Sequence, residues 1–252
     1  MFFDTHAHYD DAKFDPDRDA LLASLPAAGV GLVLDPGCDV DSSRQALALA
    51  ARFPHVYAAV GVHPEELAGC AEGDLARIAA LAREDKCVAI GEIGLDYYWD
   101  DSRREEQKAL FARQLELALS LDLPVIVHDR EAHGDCLDIV RRYEGLRGVF
   151  HCYSGSAEMA EELLRRGWYL GFDGPITYKN ARRALEVLAV CPAERILLET
   201  DSPYLSPVPL RGKRNDSRSL IHVAEKIAEL KGCTAEEIAA VTWENGKRLF
   251  GI

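Results

Sequence analysis

Short apolar runs alternate with longer stretches of helical spacing along most of the chain. The apolar runs begin with Phe2-Phe3 and continue at residues 30–34, 56–64, 87–95, 124–128, 148–152, 168–173 and 195–201. Helical spacing occupies residues 14–25, 41–53, 74–84, 102–122, 132–142, 156–166 and 180–190. Strands that are buried on both faces read as continuous apolar runs, and strict alternation with helices favours parallel pairing through right-handed crossovers. The pattern predicts eight parallel strands with helices between them.

Local signals predict where several of these elements begin and end. Ser102 with Glu105 three residues later reads as a capping box that opens the longest helix, and Thr234 with Glu237 reads as a second one. Two further helices are predicted at about 217–231 and at 234–249. No linker or low-complexity segment interrupts the alternation. We therefore expect residues 1–252 to form one domain.

Eight strand-helix units in about 250 residues fit a closed (β/α)8 TIM barrel of the α/β class, whose active site lies at the carboxyl ends of the strands. An open doubly wound sheet is the alternative. It offers a crevice at one switch point and would not bring together residues that follow strands one, four, five, six and eight. The positions of the candidate ligands therefore favour the closed barrel.

Residues able to bind a metal follow five of the predicted strands. The first strand leads into His6 and His8, which would point to one side if the strand continued through them, because side chains two apart share a face. Later runs lead into Glu92, His128, His151, Glu199 and Asp201. A single pair such as His6 and His8 is weak on its own, but the repetition predicts a metal centre. Imidazole and carboxylate ligands without thiolate suit Zn, Mn, Co or Mg.

Composition and charge limit the classes of function. A hydrophobic content of 48% supports a large core, and no apolar stretch approaches the roughly 20 residues of a membrane span. The seven cysteines are widely spaced without a Cys-x-x-Cys pair, which is typical of reduced thiols, so we expect a cytoplasmic protein. The net charge of -13 predicts no general attraction to nucleic acid or anionic membranes. Metal ions would neutralise clustered carboxylates, and a local basic patch could still bind phosphate.

The motifs together resemble one known family. They are Asp4-Thr5-His6-Ala7-His8, Gly61-Val62-His63-Pro64, Gly91-Glu92-Ile93-Gly94-Leu95-Asp96-Tyr97, His128-Asp129-Arg130-Glu131-Ala132, His151-Cys152-Tyr153-Ser154-Gly155, Glu199-Thr200-Asp201-Ser202-Pro203-Tyr204 and Arg211-Gly212-Lys213-Arg214-Asn215. In this order and spacing they look like the TatD family of metal-dependent deoxyribonucleases, within the amidohydrolase-like barrels. Two departures are mild: Tyr153 stands where Phe is common, and Asp216-Ser217 replaces the usual Glu-Pro.

The resemblance implies a set of metal ligands and a reaction. The implied ligands of two divalent ions are His6, His8, Glu92, His128, His151 and Asp201, with Glu92 as the bridge. Asp201 and Glu92 are also the predicted catalytic residues, and Asp201 would orient the attacking water or accept its proton. Glu199 is predicted either to support the ligands or to make an ordinary polar contact inside the barrel.

Several further residues are predicted to bind substrate. His63, Arg130, Tyr153, Arg211 and Lys213 are assigned to this role, because phosphate oxygens require cations and hydrogen-bond donors. A turn-stabilising histidine and a solvated basic loop are the alternatives for His63 and for the Arg211–Lys213 run. Tyr97, Tyr98, Trp99 and Tyr204 are candidates for base stacking or for packing at the rim.

We therefore expect a divalent-metal-dependent deoxyribonuclease that acts on single-stranded DNA or DNA ends, with DNA as its partner and no stable protein partner. One alternative is another metal-dependent hydrolase of the same superfamily, acting on an ester, lactone, amide or aminoacyl-tRNA. Related binuclear sites often use a lysine after strand four, whereas this chain has Glu92, which favours the TatD-like interpretation. A second alternative is a barrel that binds metal or a partner without turnover.

Overall fold

The computed structural model describes all 252 residues and contains one eight-stranded sheet with the strands in sequence order. Every neighbouring pair is parallel. The strands, numbered β1 to β8, are Phe2–Asp4, Val30–Pro36, Val56–Val60, Cys87–Asp96, Val125–Arg130, Gly148–Phe150, Tyr169–Phe172 and Ile196–Leu198. The prediction of eight parallel strands is confirmed.

The first and last strands meet and close the sheet. The Thr5 amide donates to the carbonyl of Leu198 at 3.0 Å, and an isolated parallel bridge joins Ala7 to Ser202. An open doubly wound sheet would have a reversal of strand order at a switch point, and this sheet has none. The fold is a (β/α)8 TIM barrel, as the sequence predicts.

Helices connect the strands and cover the outside of the barrel. The helices, numbered α1 to α9, are Arg18–Ser24, Val40–Arg52, Asp74–Leu81, Arg104–Leu121, His133–Val140, Ala157–Arg165, Arg182–Val190, Leu220–Lys231 and Ala235–Phe250. None of them is long and apolar enough to cross a membrane. All seven cysteines are unpaired.

One predicted capping box is confirmed and the other is wrong. Thr234 accepts from the Glu237 amide and Glu237 accepts from the Thr234 amide, so α9 begins as predicted. The helix α4, however, begins at Arg104 without a side-chain cap. The Ser102 hydroxyl donates to the carboxylate of Asp100 at 2.6 Å instead, because that acceptor lies two residues away in the same loop. The competing local hydrogen bond therefore removes Ser102 from the helix end.

The amino-terminal end of the barrel is covered by the last helix. One buried cluster takes residues from all eight strands and adds Leu249 and Phe250 from α9. The ring of Phe250 packs edge-to-face on Phe3 with centroids 6.0 Å apart. The Asn245 amide donates to the carbonyls of Ala193 and Ile196, just before and at the start of β8. A functional site can therefore open only at the opposite end, where the strands terminate.

Candidate metal centre

The two histidines after β1 converge on each other. The strand ends at Asp4, so His6 and His8 lie beyond it rather than within it. Their Nε2 atoms are nevertheless only 3.1 Å apart. The Nδ1 atom of His8 lies 3.2 Å from the carbonyl oxygen of Pro36, which can only accept a hydrogen bond. The proton of a neutral His8 ring therefore sits on Nδ1, and its Nε2 lone pair faces the interior of the site.

Glu92, in β4, lies between two groups of histidines. Its Oε2 atom is 3.2 Å from His6 Nε2 and 3.6 Å from His8 Nε2. Its Oε1 atom is 2.8 Å from His151 Nε2 and 2.9 Å from His128 Nδ1. The Glu92 side chain is almost fully buried, at 4% exposure. Each oxygen of one carboxylate thus faces its own pair of imidazoles.

Asp201 completes the arrangement next to the first pair. Its Oδ1 atom lies 3.4 Å from His8 Nε2 and 3.8 Å from His6 Nε2. We call His6, His8 and Asp201 the first ligand set and His128 with His151 the second ligand set, with Glu92 between them. The structure brings together all six residues that the sequence predicts as metal ligands, from the ends of β1, β4, β5, β6 and β8.

The charges within the site are strongly coupled. Burial alone would raise the pKa of Glu92, but the neighbouring His151, His6 and His63 hold it well below its ordinary value. Burial also opposes charge on His128, yet hydrogen bonds with Asp96 and Glu92 raise its pKa to about 9. In the absence of a cation, protonated imidazoles therefore balance the buried carboxylates.

This donor set fits divalent metal ions. Ligand atoms of His6, His8 and Glu92 lie within 4.8 Å of one another, and so do those of Glu92, His128 and His151. Imidazole nitrogens and carboxylate oxygens without thiolate are the ligands of hydrolytic Zn, Mn, Co or Mg sites. A cation between Nε2 atoms as close as those of His6 and His8 would replace the proton that such a contact otherwise requires.

Asp96 supports the second ligand set, a role that is not among the sequence predictions. Its Oδ2 atom lies 3.0 Å from His128 Nε2, which leaves Nδ1 of that ring to face Glu92. A signal was available, because Asp96 follows Glu92 by four residues and so shares its face of β4. Gly94 allows the close approach of β4 and β5 here: it has a φ of 148°, and a Cβ atom would lie 1.9 Å from the His128 carbonyl oxygen.

His63 lies at the edge of the second ligand set. Its Nε2 atom is 3.5 Å from Glu92 Oε1, and its ring packs edge-to-face on His128 with centroids 4.3 Å apart. Its Nδ1 atom accepts a hydrogen bond from the Glu65 amide at 3.2 Å. The residue therefore stabilises a turn, as the alternative interpretation of the sequence expects, and its other ring nitrogen faces Glu92.

Arg130 lies at the mouth of the metal centre beside exposed aromatic rings. Its guanidinium carbon is 4.2 Å from the centroid of Tyr98 and 5.7 Å from that of Trp99. The Trp99 side chain is 64% exposed. Arg130 lines a cavity of about 300 Å³ together with His128, His151 and Asp201. Tyr97, in contrast, donates its hydroxyl to Asp135 at 2.7 Å.

A second, more basic cavity of about 530 Å³ adjoins the first, and Leu205 lines both. Arg211 lies over the ring of Tyr178 at 3.9 Å, and Lys13 lies over the ring of Tyr204 at 3.8 Å. The predicted Arg211 and Lys213 both line this cavity. Lys13 and Tyr178 come from distant parts of the chain, and no local sequence signal marks them.

Tyr153 lies differently from the other predicted substrate residues. It is buried at 5% exposure, and its hydroxyl donates to the carbonyl of Ser156 at 2.9 Å. Part of the residue borders a cavity of about 210 Å³ beside the metal centre. Its hydroxyl is thus engaged within its own loop, and any contact with substrate would involve the ring.

One family model matches nearly the whole sequence. The model described as TatD related DNase covers residues 3–251. The chain belongs to the TatD family. The resemblance seen in its motifs is therefore confirmed.

Relatives of this TatD-family chain share its full length. It is 43% identical to the uncharacterized metal-dependent hydrolase YabD of Bacillus subtilis, with 100% of both chains covered. It is 38% identical to the 3'-5' ssDNA/RNA exonuclease TatD of Cronobacter sakazakii, over 98% of this chain and 97% of that one. The crystal structure of the TatD homologue YjjV of Escherichia coli superposes with a TM-score of 0.94 at 35% identity, covering 100% and 98% of the two chains. The protein is a metal-dependent hydrolase of the TatD family.

Proposed function

We propose that the protein is a deoxyribonuclease that uses two divalent metal ions and hydrolyses phosphodiester bonds at the ends of single-stranded DNA. The observation that carries the proposal is the position of Glu92, whose two carboxylate oxygens each face a separate ligand set. Two divalent ions held by these residues would supply an activated water molecule and positive charge for the phosphoryl oxygens of the substrate. Zn, Mn, Co and Mg all suit these ligands.

The residues around the ions have distinct tasks in this proposal. Asp201 is the more exposed of the two catalytic carboxylates, at 17% against 4% for Glu92. Burial would raise the pKa of Asp201, but His8, His6 and His151 hold it below its ordinary value, so the carboxylate is ionised at neutral pH. It can therefore orient the attacking water or accept its proton at the open side of the site. Glu92 stays buried and holds the two ligand sets together.

The mouth of the barrel offers positive charge to an anionic substrate. The side chains of Arg130, Arg211 and Lys13 stack on aromatic rings instead of pairing with carboxylates. Arg214, in the same loop as Arg211, pairs with Asp17 at 2.7 Å. Stacked guanidinium groups keep their hydrogen-bond donors free for phosphate oxygens. We propose that Arg130, Arg211, Lys213 and His63 bind the backbone, and that Tyr153 contributes only its ring.

Exposed rings beside these cations favour a single strand over a duplex. Unpaired bases can stack on aromatic side chains, whereas paired bases cannot. The name of the Cronobacter relative, a 3'-5' ssDNA/RNA exonuclease, agrees with a single-stranded substrate and attack at an end.

A direct test uses metal-stripped protein and end-labelled single-stranded DNA, with Mg, Mn, Co or Zn added in turn. We expect stepwise shortening that requires metal, and the position of the label gives the direction of attack. Asp201→Asn should abolish this shortening of the DNA. Asp138→Asn, on the outer helix α5, should leave it unchanged. Absence of cleavage with every ion, in protein shown to bind metal, would favour an ester, lactone, amide or aminoacyl-tRNA substrate instead.

Three broader predictions remain part of the proposal. We propose that residues 1–252 act as one domain, that the protein works in the cytoplasm, and that it needs no stable protein partner. The seven unpaired cysteines support a reducing compartment.

A further inference from the structure

The rings of His6 and His151 stack on each other although they belong to different ligand sets. Their planes are nearly parallel, at 9°, with centroids 3.9 Å apart. The Nε2 atom of each ring faces Glu92. The Nδ1 atoms of both rings are buried and have no hydrogen-bond partner within normal distance. An imidazole that binds metal through one nitrogen carries a proton on the other, and that proton needs an acceptor.

Glu199 is the carboxylate beside this stacked pair. It is 1% exposed, and its Oε1 atom lies 3.6 Å from His151 Nδ1. A carboxylate oxygen of Glu199 and ring nitrogens of both His6 and His151 lie within 4.8 Å of one another. One buried carboxylate thus lies beside a histidine from each ligand set, and nearest to Nδ1 of His151.

The surrounding backbone holds Glu199 in this place. Its Oε1 atom accepts a hydrogen bond from the amide of Cys152, the residue after His151. Cys152 has a left-handed φ of 40°, an unfavourable conformation that is found where surrounding structure enforces it. Gly171 in β7 leaves the space for the carboxylate, because a Cβ atom there would lie 2.2 Å from Glu199 Oε2.

We propose that Glu199 is a positioning residue that keeps the Nδ1 atoms of His151 and His6 protonated, so that both Nε2 lone pairs face the metal ions. The other two histidine ligands already have such acceptors, Asp96 for His128 and the Pro36 carbonyl for His8. Glu199 supplies the missing acceptor and connects the two ligand sets through the stacked rings. The inference rests on the proposed metal centre and not on the identity of the substrate.

The first test reads the protonation of the rings in the unaltered protein. Two-bond ¹H–¹⁵N correlation spectra of zinc-loaded, ¹⁵N-labelled protein report which nitrogen of each histidine carries hydrogen. We expect a protonated Nδ1 and a zinc-bound Nε2 for His151 and His6. An unprotonated Nδ1 on His151 would overturn the proposal without the need for any variant.

The second test measures zinc affinity by competition with a chromophoric chelator. Glu199→Gln keeps the size of the side chain but removes one acceptor, and Gly171→Ala forces the carboxylate aside without changing a ligand. We expect affinity to fall by about 10- to 100-fold in both, the range typical when a supporting partner is lost. Glu194→Gln, an exposed change before β8, should leave it unchanged.

Two results of the second test would contradict the proposal. Unchanged zinc affinity in Glu199→Gln would show that the carboxylate does not position the rings. A third zinc equivalent that disappears in Glu199→Gln would show that Glu199 is itself a ligand. Neither the NMR measurement nor the zinc titration uses DNA. Both results would therefore remain interpretable if the deoxyribonuclease proposal failed.

Discussion

The arginine side chains of this barrel differ in the groups that their guanidinium groups contact. Two arginines on the outer helices and loops pair with carboxylates, Arg141 with Glu162 and Arg147 with Asp122. Arg130 instead lies against the rings of Tyr98 and Trp99. A protein with a net charge of -13 gains little long-range attraction to DNA, so in the proposed function cations such as Arg130 would supply the attraction locally.

Arg130→Ala should weaken substrate binding and leave the chemical step unchanged, because the proposed role of the guanidinium is to bind phosphate and not the attacking water. We expect KM for a single-stranded oligonucleotide to rise about 10-fold with an unchanged kcat, equivalent to about 1.4 kcal/mol. The slope of binding against salt concentration should fall by about 0.7, the value of one phosphate contact on a single strand. Arg142→Ala, the same change in the exposed turn after α5, is the control, and an equal effect there would refute a local role.

At the scale of elements, one lysine side chain donates hydrogen bonds to backbone carbonyls at the end of a helix. The carbonyls at the carboxyl end of a helix lack partners within the helix and carry partial negative charge. The Lys86 ammonium nitrogen lies 2.8 to 3.1 Å from the carbonyl oxygens of Ala50, Phe53, Pro54 and Val56, so its three N–H groups are shared among four acceptors. It therefore connects the end of α2 and the start of β3 to the turn before β4.

Lys86→Met should destabilise the protein, because it removes the ammonium donor and retains much of the apolar stem. We expect the free energy of unfolding to fall by about 2 kcal/mol, the value of hydrogen bonds to a charged group. Urea denaturation followed by circular dichroism measures it. Lys226→Met removes a lysine paired only with Glu229 on the surface of α8 and should change stability by less than about 0.5 kcal/mol.

Glu162 joins two neighbouring helices through charge. Its carboxylate accepts hydrogen bonds from both Nε and Nη2 of Arg141. Arg141 directly follows α5, and Glu162 lies in α6. This pairing lowers the pKa of Glu162 to about 2. A depressed carboxylate pKa stabilises the fold above the unfolded value near 4.5, and the stabilisation is lost as the pH falls toward 2.

Glu162→Gln should therefore cost about 1 kcal/mol at pH 7, the upper range for a solvent-accessible ion pair. The difference from the unaltered protein should shrink as the pH falls below about 4.5 and should also shrink in high salt. Urea unfolding at several pH values tests this. Glu161→Gln is the control in the same helix. The carboxylate of Glu161 is as far as 3.9 Å from the guanidinium of Arg165, so its loss should change stability very little. A pH-independent difference for Glu162→Gln would mean that packing and not charge is responsible.

At the scale of the whole molecule, the metal centre connects the ends of distant strands. Its proposed ligands lie within β4 and β5 or follow β1, β6 and β8, and the same region contains the contact between β1 and β8 that closes the barrel. Ions that bind only the folded state would therefore stabilise the complete barrel.

Removal of metal should lower the melting temperature. Free zinc at 100 times the dissociation constant stabilises by about 2.7 kcal/mol per site, and each kcal/mol is worth about 2 to 4 °C in a protein of this size. We expect a difference of at least about 5 °C between zinc-loaded and chelator-treated protein in differential scanning calorimetry. In Glu92→Gln most of this difference in melting temperature should disappear, because Glu92 lies between both ligand sets. Equal melting temperatures with and without zinc would contradict a metal centre of this kind.

The sequence by itself determined the fold and the types of residue at the site. Buried parallel strands produce continuous apolar runs, and a ligand that directly follows such a run must lie at the carboxyl end of the barrel. This is why His128 and Asp201 could be predicted to converge from opposite parts of the chain. The predicted strands at 148–152 and 195–201 extend too far: β6 stops at Phe150 and β8 at Leu198, so His151 and Asp201 follow their strands and do not lie within them.

Only the tertiary structure decided which atoms face each other. Glu92 faces two pairs of imidazoles, His6 stacks on His151, and Gly171 leaves space for Glu199. All three arrangements join residues that are far apart in sequence. Such contacts depend on strand register and side-chain rotamers, which are fixed when the barrel closes and not by local propensity. The strand pattern therefore indicated residues able to bind a metal, and the family resemblance implied the ligand set, while packing alone specified the orientation of the nitrogen and oxygen atoms.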